Sequence, residues 1–160
     1  MSQLTNYTYD ELSIGQTASY TKVIDEKDIQ LFAAVSGDVN PVHLDAQFAA
    51  GTQFKERIAH GMLTGAIISA ALALELPGPG SIYLAQTLRF RLPVKIGDSV
   101  TVNLEVTEMK DRRKTVTLDC KAVNQHGKTV ATGSAEVMAP AEKLQIPRPA
   151  IPRAEILPPE

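Results

Sequence analysis

Apolar and polar residues alternate along four consecutive segments in the second half of the chain. The apolar positions fall at Leu88, Phe90 and Leu92, at Val100, Val102, Leu104 and Val106, at Val116, Leu118, Cys120 and Ala122, and at Ala131, Gly133, Ala135 and Val137. A period of two is typical of strands with one buried face and one wet face. The pattern therefore predicts four antiparallel strands with a hairpin loop at 124–128, and residues 16–24 predict one further strand.

The segment from His60 to Leu76 has a different pattern. It is apolar on nearly every side, and small residues recur every fourth position, at Gly61, Gly65, Ser69 and Ala73. A helix that is apolar all round belongs inside a fold. The stripe of small residues allows a sheet, a partner helix or a ligand to approach the helix backbone closely. The segment is too short and too interrupted for a membrane span, so we expect one long buried helix.

Shorter elements precede this helix. Residues 26–35 predict an amphipathic helix with Asp25 as its N-cap, and residues 45–50 predict another short helix capped by Asp45. The Asn40-Pro41 pair between them predicts a turn. The economical packing of all these elements is an α+β fold, in which a curved antiparallel sheet wraps around the long helix.

Composition narrows the function classes. The chain has 160 residues, 44% of them hydrophobic, and a net charge of −2, so no basic surface favours nucleic acid. A single cysteine excludes an intramolecular disulfide, and the first twelve residues lack the pattern of a secretion signal. We therefore expect a cytoplasmic protein that binds neither nucleic acid nor membrane.

The proline content divides the chain in two. Residues 140–160 hold six of the ten prolines. Proline fixes its own φ and cannot donate to a strand ladder. We therefore expect a domain over 1–139, followed over 140–160 by an extended tail or linker that contributes no strand.

Candidate acid–base chemistry lies in residues 32–50. Asp38 and His43 are five residues apart across the predicted turn. A carboxylate can accept a proton from a water held between the two groups, and an imidazole can exchange protons with a substrate. Alternatively, Asp38 is only an Asx-turn residue and His43 only packs the turn. In either case both side chains are expected in a turn rather than in a packed layer.

The start of the long helix offers a second set of candidates. Free backbone N–H groups and the positive end of the helix dipole converge there, and Gly61 has no side chain to block a ligand carbonyl. His60 either contributes to such a site or is a capping or hairpin-facing histidine. Ser69 either borders the site or bonds back to the preceding turn. Arg89 and Arg91 either form a solvated strand face or grip phosphates.

Four stretches carry a resemblance to a known family. The sequence "SGDVNPVHLD" at 36–45 resembles the signature of the (R)-specific enoyl-CoA hydratases of the MaoC-like group. The stretches "YDELSIGQ" at 9–16, "IAHGML" at 58–63 and "ELPGPGSIYLAQTLRFRLPVKIGD" at 75–98 resemble the same family in order and spacing. The resemblance covers about residues 7–139. It implies the hot-dog fold and the hydration of trans-2-enoyl-CoA to (R)-3-hydroxyacyl-CoA, with a coenzyme A thioester as substrate and no metal or redox cofactor.

The resemblance also assigns roles to individual positions. Asp38 and His43 match the catalytic aspartate and histidine, and Asn40 matches a site-shaping asparagine between them. Gly61 matches the glycine whose N–H faces the thioester oxygen, and Ser69 matches a serine that borders the site in some members. Members pair as homodimers, or assemble further, by joining two sheets edge to edge, so a homodimer is implied here.

Two alternative functions remain open for this fold. A hot-dog thioesterase would direct the same water to C1 of the acyl group, and an acyl-thioester-binding or dimerisation module would give no turnover.

The proline-rich tail departs from the pattern of the family. A hydratase-like sequence followed by such a tail resembles the N-terminal part of larger proteins that carry a phosphate acetyl- or butyryltransferase domain, so a fused phosphate acyltransferase in a longer parent protein is one expectation.

Overall fold

The computed structural model describes residues 2–159 and contains seven strands and four α-helices in that range. In chain order they are β1 (Gln3–Thr5), β2 (Thr17–Val23), α1 (Glu26–Ser36), α2 (Pro41–Leu44), α3 (Ala46–Ala50), α4 (Gly61–Leu74), β3 (Ile82–Phe90), β4 (Ser99–Lys110), β5 (Thr115–Val123), β6 (Thr129–Met138) and β7 (Gln145–Pro147). A single 3-10 turn, Tyr9–Glu11, follows β1.

Five of the strands form one antiparallel sheet in the order β2-β4-β5-β6-β3. The four strands predicted from the alternation and the strand predicted at 16–24 are confirmed. The prediction around Leu88 to Leu92 is displaced, because β3 begins at Ile82 and ends at Phe90. The strands β2 and β3 are the two edges of this sheet, and β3 leaves much of its apolar surface exposed.

The helix α4 packs against the inner face of the sheet, as the apolar pattern predicts. Ile68 and Ala71 on α4 are fully buried and belong to the same core cluster as the inward residues of the strands. Residues of that cluster with essentially no exposed surface include Val100, Val102, Leu104, Val106, Val116, Leu118, Cys120, Val130 and Val137. This sheet wrapped around one helix is the hot-dog arrangement, and the expected α+β fold is confirmed.

The helix α1 is fixed at both ends before the chain enters the candidate site. Asp25 accepts a hydrogen bond from the Asp28 N–H at 2.8 Å, and Asp28 accepts one from the Asp25 N–H at 3.0 Å, so the predicted N-cap completes a reciprocal capping box. Gly37 ends the helix with φ of 78°, a left-handed conformation that glycine adopts without strain. The chain thus turns sharply just before Asp38.

The predicted turn at Asn40-Pro41 is in fact the start of a one-turn helix. The Asn40 side chain accepts a hydrogen bond from the Val42 N–H at 3.3 Å, and Pro41 occupies the first helical position, where its missing N–H costs nothing. The predicted helix at 45–50 is confirmed as α3, whose cap Asp45 accepts from the Phe48 N–H at 3.0 Å.

The expectation that the proline-rich end contributes no strand is wrong. Strand β7 pairs antiparallel with β1 in a separate two-stranded sheet, with Leu4 opposite Ile146. Pro147 sits at the end of that strand, where a missing ladder donor is tolerated. Residues 148–159 have no regular secondary structure, and an extended tail or linker there stays a prediction.

Among residues 2–159, none of the helices has both the length and the apolar character that crossing a bilayer requires.

Candidate active site

Asp38 lies on the exposed loop between α1 and α2. One carboxylate oxygen, Oδ1, accepts a hydrogen bond from the Asn40 N–H at 3.2 Å, and the Asp38 N–H donates to the Ser36 hydroxyl at 3.1 Å. The Asx-turn interpretation of Asp38 is therefore correct. It does not compete with a chemical role, because a carboxylate has further acceptor positions free.

His43 lies on α2 and is only 8% exposed. Its Nδ1 is 2.8 Å from the Ile58 carbonyl oxygen. Since a carbonyl can only accept, Nδ1 carries the proton in that contact and Nε2 remains free. The expectation that His43 sits outside any packed layer is wrong, because the ring is enclosed by the chain leading into α4.

Arg57 holds the backbone of the helix that carries His43. Its Nε donates to the His43 carbonyl oxygen at 2.7 Å, and its Nη1 lies 2.7 Å from Glu26 Oε1 on α1. The Arg57 side chain is only 14% exposed, but the Glu26 side chain is 57% exposed, so water still screens this ion pair. Sequence reasoning missed Arg57, because nothing in the local pattern connects it to a residue 14 positions earlier.

Three side chains converge at this point. Ligand-type atoms of Asp38, His43 and His60 all lie within 4.8 Å of one another. The imidazole rings of His43 and His60 are stacked with their centroids 3.8 Å apart and their planes inclined by 27°. Two rings so nearly parallel direct their in-plane lone pairs side by side rather than toward a common point. The donor set therefore fits a metal ion poorly, and the absence of a metal stays a prediction.

Gly61, the first residue of α4, lies next to this group. As the first helical residue it has an N–H without an intrahelical partner. A methyl group built on its Cα would lie 3.1 Å from the Phe90 ring, so a side chain here would crowd the approach. Gly61 borders a cavity of about 330 Å³ between the start of α4 and the chain following β3, with His60, Phe90 and Arg91 among its lining residues.

A second cavity, of about 520 Å³, lies between α4 and β3 and is lined by Gly65, Ser69 and Tyr83 among others. Burial, with a smaller contribution from Cys120, raises the pKa of Tyr83 to about 12, so the phenol keeps its proton at neutral pH. The small-residue stripe of α4 thus faces the edge strand β3. Gly65 confirms this direction, because a Cβ there would lie 3.2 Å from a methyl group of Leu88.

Of the predicted site residues, the structure brings Asp38, His43 and Gly61 to one region, with Asn40 as the cap of α2. Ser69 lies two turns further along α4, on the second cavity. Arg89 and Arg91 are both exposed. The stacking of His43 on His60 was not predicted, since no sequence pattern reports the orientation of two rings 17 residues apart.

Comparison with known proteins finds a matching family model and several similar proteins. The model of the MaoC like domain matches residues 11–126. The (R)-specific enoyl-CoA hydratase of Rhodospirillum rubrum is 47% identical over 83% of this chain and 92% of its own length. The 3-hydroxybutyryl-CoA dehydratase of Methylorubrum extorquens is 43% identical over 84% of this chain and 85% of its own. The unliganded R-hydratase PhaJ1 of Pseudomonas aeruginosa superposes with a TM-score of 0.92 at 59% identity, covering 97% of this chain and 99% of that one.

Proposed function

The chain belongs to the family of MaoC like domains, and on that premise we propose that it is a hydro-lyase that adds water to trans-2-enoyl-CoA to give (R)-3-hydroxyacyl-CoA. The single observation that carries the proposal is the convergence of the Asp38 carboxylate and the His43 imidazole, whose Nδ1 is fixed by the Ile58 carbonyl oxygen, beside the N-terminus of α4. The relatives named enoyl-CoA hydratase and 3-hydroxybutyryl-CoA dehydratase support the same substrate class.

In this mechanism a water bound between Asp38 and His43 is the nucleophile. Asp38, as general base, takes a proton from the water as its oxygen forms a bond to C3 of the substrate. The electrons of the C2–C3 double bond move toward the thioester oxygen. His43 enters this step as the imidazolium, with its Nδ1–H on the Ile58 carbonyl oxygen, and delivers its Nε2 proton to C2. The proton that Asp38 took from the water then passes to Nε2 of His43, which restores both groups for the next turnover. Both groups act from one face of the substrate, so the addition is syn.

The negative charge that develops on the thioester oxygen needs a donor. The Gly61 N–H, with the positive end of the α4 dipole behind it, supplies one without a side chain in the way. The hydrogen bond from the Asn40 N–H to Asp38 and the cap that Asn40 makes on α2 hold the two catalytic groups at a fixed separation. Ser69 would border the acyl chain further along α4. All steps use protons and the substrate alone, so we propose that no cofactor takes part.

We also propose that the protein acts as a homodimer formed by the edge strand β3. The exposed apolar side chains of the five-stranded sheet concentrate on this edge, at Ile82, Tyr83, Leu84 and Phe90, whereas β2 exposes only Val23. The 520 Å³ cavity opens on the same edge, with Tyr83 and Leu84 in its wall, so a partner would also cover it. A fused phosphate acyltransferase domain and a cytoplasmic location stay predictions.

Incubation with crotonyl-CoA separates this proposal from its rivals. The enoyl absorbance and the appearance of free thiol are followed in the same sample. A hydratase consumes the enoyl group and releases no thiol, and chiral analysis of the product gives the (R)-3-hydroxy isomer. A thioesterase releases thiol, and a binding module changes neither signal. Either of the last two results would contradict the proposal.

A further inference from the structure

His60 occupies an unusual position for a buried polar residue. It is the N-cap residue of α4 and is only 2% exposed, yet its side chain makes no capping hydrogen bond. Its Nδ1 is buried and has no hydrogen-bond partner among the described residues. A buried nitrogen without a partner destabilises the fold and calls for an explanation other than stability.

His60 contacts both proposed catalytic residues. Its Nε2 is 2.9 Å from the Asp38 carbonyl oxygen, and because a carbonyl only accepts, Nε2 carries the proton. One face of the ring covers His43 at a centroid distance of 3.8 Å, and Phe32 lies 4.9 Å away, inclined by 49°. The next residue along the chain is Gly61.

We infer that His60 is a positioning residue that fixes the Asp38 loop by a hydrogen bond and the plane of the His43 ring by stacking. The inference rests on the proposed hydration reaction. An aromatic ring alone would provide the stack, and an amide alone would provide the donor. A histidine provides both at once, and the unpartnered Nδ1 is the consequence of using it.

Two substitutions separate the contacts. His60→Phe keeps a ring against His43 and removes both the donor to Asp38 and the unpartnered nitrogen. His60→Gln keeps an N–H donor and removes the ring. Loss of alignment between reacting groups typically costs up to about a hundredfold in rate. We therefore expect His60→Phe to lower kcat on crotonyl-CoA by about ten- to a hundredfold, with KM within about twofold and Tm unchanged or raised. His60→Gln should also lower kcat, together with Tm.

A matched control comes from the core. Val116→Ala on β5 removes buried methyl groups away from the site and should lower Tm while leaving kcat near that of the wild type. If His60 were merely structural, its variants would behave as Val116→Ala does, and kcat of the folded protein would stay near that of the wild type. A folded His60→Phe with wild-type kcat would overturn the inference.

A double-mutant cycle gives a second, independent readout. If His60 acts by positioning Asp38, then His60→Phe should cost much less in an Asp38→Asn background, where no general base is left to position. Equal fold-losses in both backgrounds would mean that the two residues act separately, and would overturn the inference. Failure of the wild-type protein to hydrate crotonyl-CoA would instead contradict the proposed function, so the two failures are distinguishable.

Discussion

The Asp38 carboxylate makes a structural contact and, in the proposed mechanism, also acts as the general base. One oxygen holds the turn through the Asn40 N–H, while the group as a whole lies within reach of His43 and His60. Asp38→Asn separates these two roles, because an amide keeps an acceptor oxygen for the turn but cannot take a proton from water. We expect turnover of crotonyl-CoA to fall by at least about a hundredfold, with Tm nearly unchanged. A folded variant that hydrates at close to the wild-type rate would show that the base lies elsewhere.

Gly61 tests the position of the thioester oxygen. Gly61→Val introduces a β-branched side chain whose Cβ would lie 3.1 Å from the Phe90 ring. A donor must lie within about 3 Å of the developing oxyanion, so a side chain at this approach should abolish hydration. The fold should survive, since both Gly61 and Phe90 are exposed and the ring can move. Rates are measured with crotonyl-CoA and folding by circular dichroism.

Gly65→Ala, one turn further along α4, is the matched control. Its new methyl group would meet the ends of Met62 and Leu88 at 3.1 and 3.2 Å, and both of these ends are flexible. The gain in helix propensity, at most about 1 kcal/mol, opposes this crowding, so we expect a small change in Tm and retained hydration. If Gly61→Val hydrates as well as Gly65→Ala does, then Gly61 does not lie at the oxyanion position.

Only some residues of the candidate site could be predicted from the sequence. Asp38, Asn40 and His43 are found because they share one loop, where spacing alone limits their separation. Arg57 and the orientation of the His60 ring are not found, because their contacts with the site are made between segments 14 to 22 residues apart. Contacts between separate segments produce no periodic pattern in the sequence from which they could be predicted.

Among the secondary-structure elements, the long strands were predictable and the short ones were not. Strands β4 to β6 alternate over nine to twelve residues because one face is buried and the other is wet. Helix α2 has four residues, too few for a helical period to be visible. Strand β7 has three residues and ends in proline, and its partner β1 lies at the opposite end of the chain.

The pairing of β1 with β7 is reinforced by one buried amide. Asn6 is fully buried, and its Nδ2 donates to the carbonyl oxygens of Pro79 at 3.0 Å and Glu142 at 2.8 Å. Its Oδ1 accepts from the Leu144 N–H at 2.9 Å. One side chain therefore joins the N-terminal segment, the loop after α4 and the start of the proline-rich end.

Two truncations follow from this arrangement. Removing residues 140–160 takes away β7 and two of the three hydrogen-bond partners of the Asn6 side chain, and leaving buried polar groups unpaired costs about 1–3 kcal/mol each. We expect the free energy of unfolding in urea to fall by at least about 2 kcal/mol. Removing only 149–160 keeps β7 and the hydrogen bond from the Arg148 N–H to Ser2, so stability should hardly change.

Crotonyl-CoA hydration by the folded fraction should survive both truncations. Asn6 packs beyond the C-terminal end of α4, and a helix of 14 residues separates that end from Gly61 by about 21 Å. If the longer truncation leaves the urea midpoint unchanged, the paired end of the chain contributes nothing to the stability of the domain.

For the whole molecule, the two edges of the main sheet differ in a way that favours one of them as an interface. An unpaired edge exposes backbone donors and acceptors, and proteins usually protect it with charge. Each edge strand carries one basic residue, Lys22 on β2, which forms an ion pair with Asp28 at 2.9 Å, and the exposed Arg89 on β3. The two edges therefore differ in their apolar surface rather than in their charge. Along β3, Phe90 is 50% exposed, and Leu84 is 46% exposed and lines the cavity between α4 and β3. The alternation in β3 predicts a buried apolar face, whereas the single chain leaves part of the apolar surface of β3 exposed. A partner chain on this edge would account for the difference.

Leu84→Lys places a charge on the β3 edge, and Val23→Lys places the same charge on the β2 edge, where Val23 is 60% exposed. Because a charge removed from water within an interface has no partner there, we expect Leu84→Lys to give monomers and Val23→Lys to leave the dimer intact. Sedimentation measures the oligomeric state, and crotonyl-CoA hydration is assayed at the same protein concentrations. Activity should fall with dissociation, because the partner no longer covers the cavity between α4 and β3. A Leu84→Lys protein that remains dimeric would exclude β3 as the interface, and a monomer with full activity would show that each chain holds a complete site of its own.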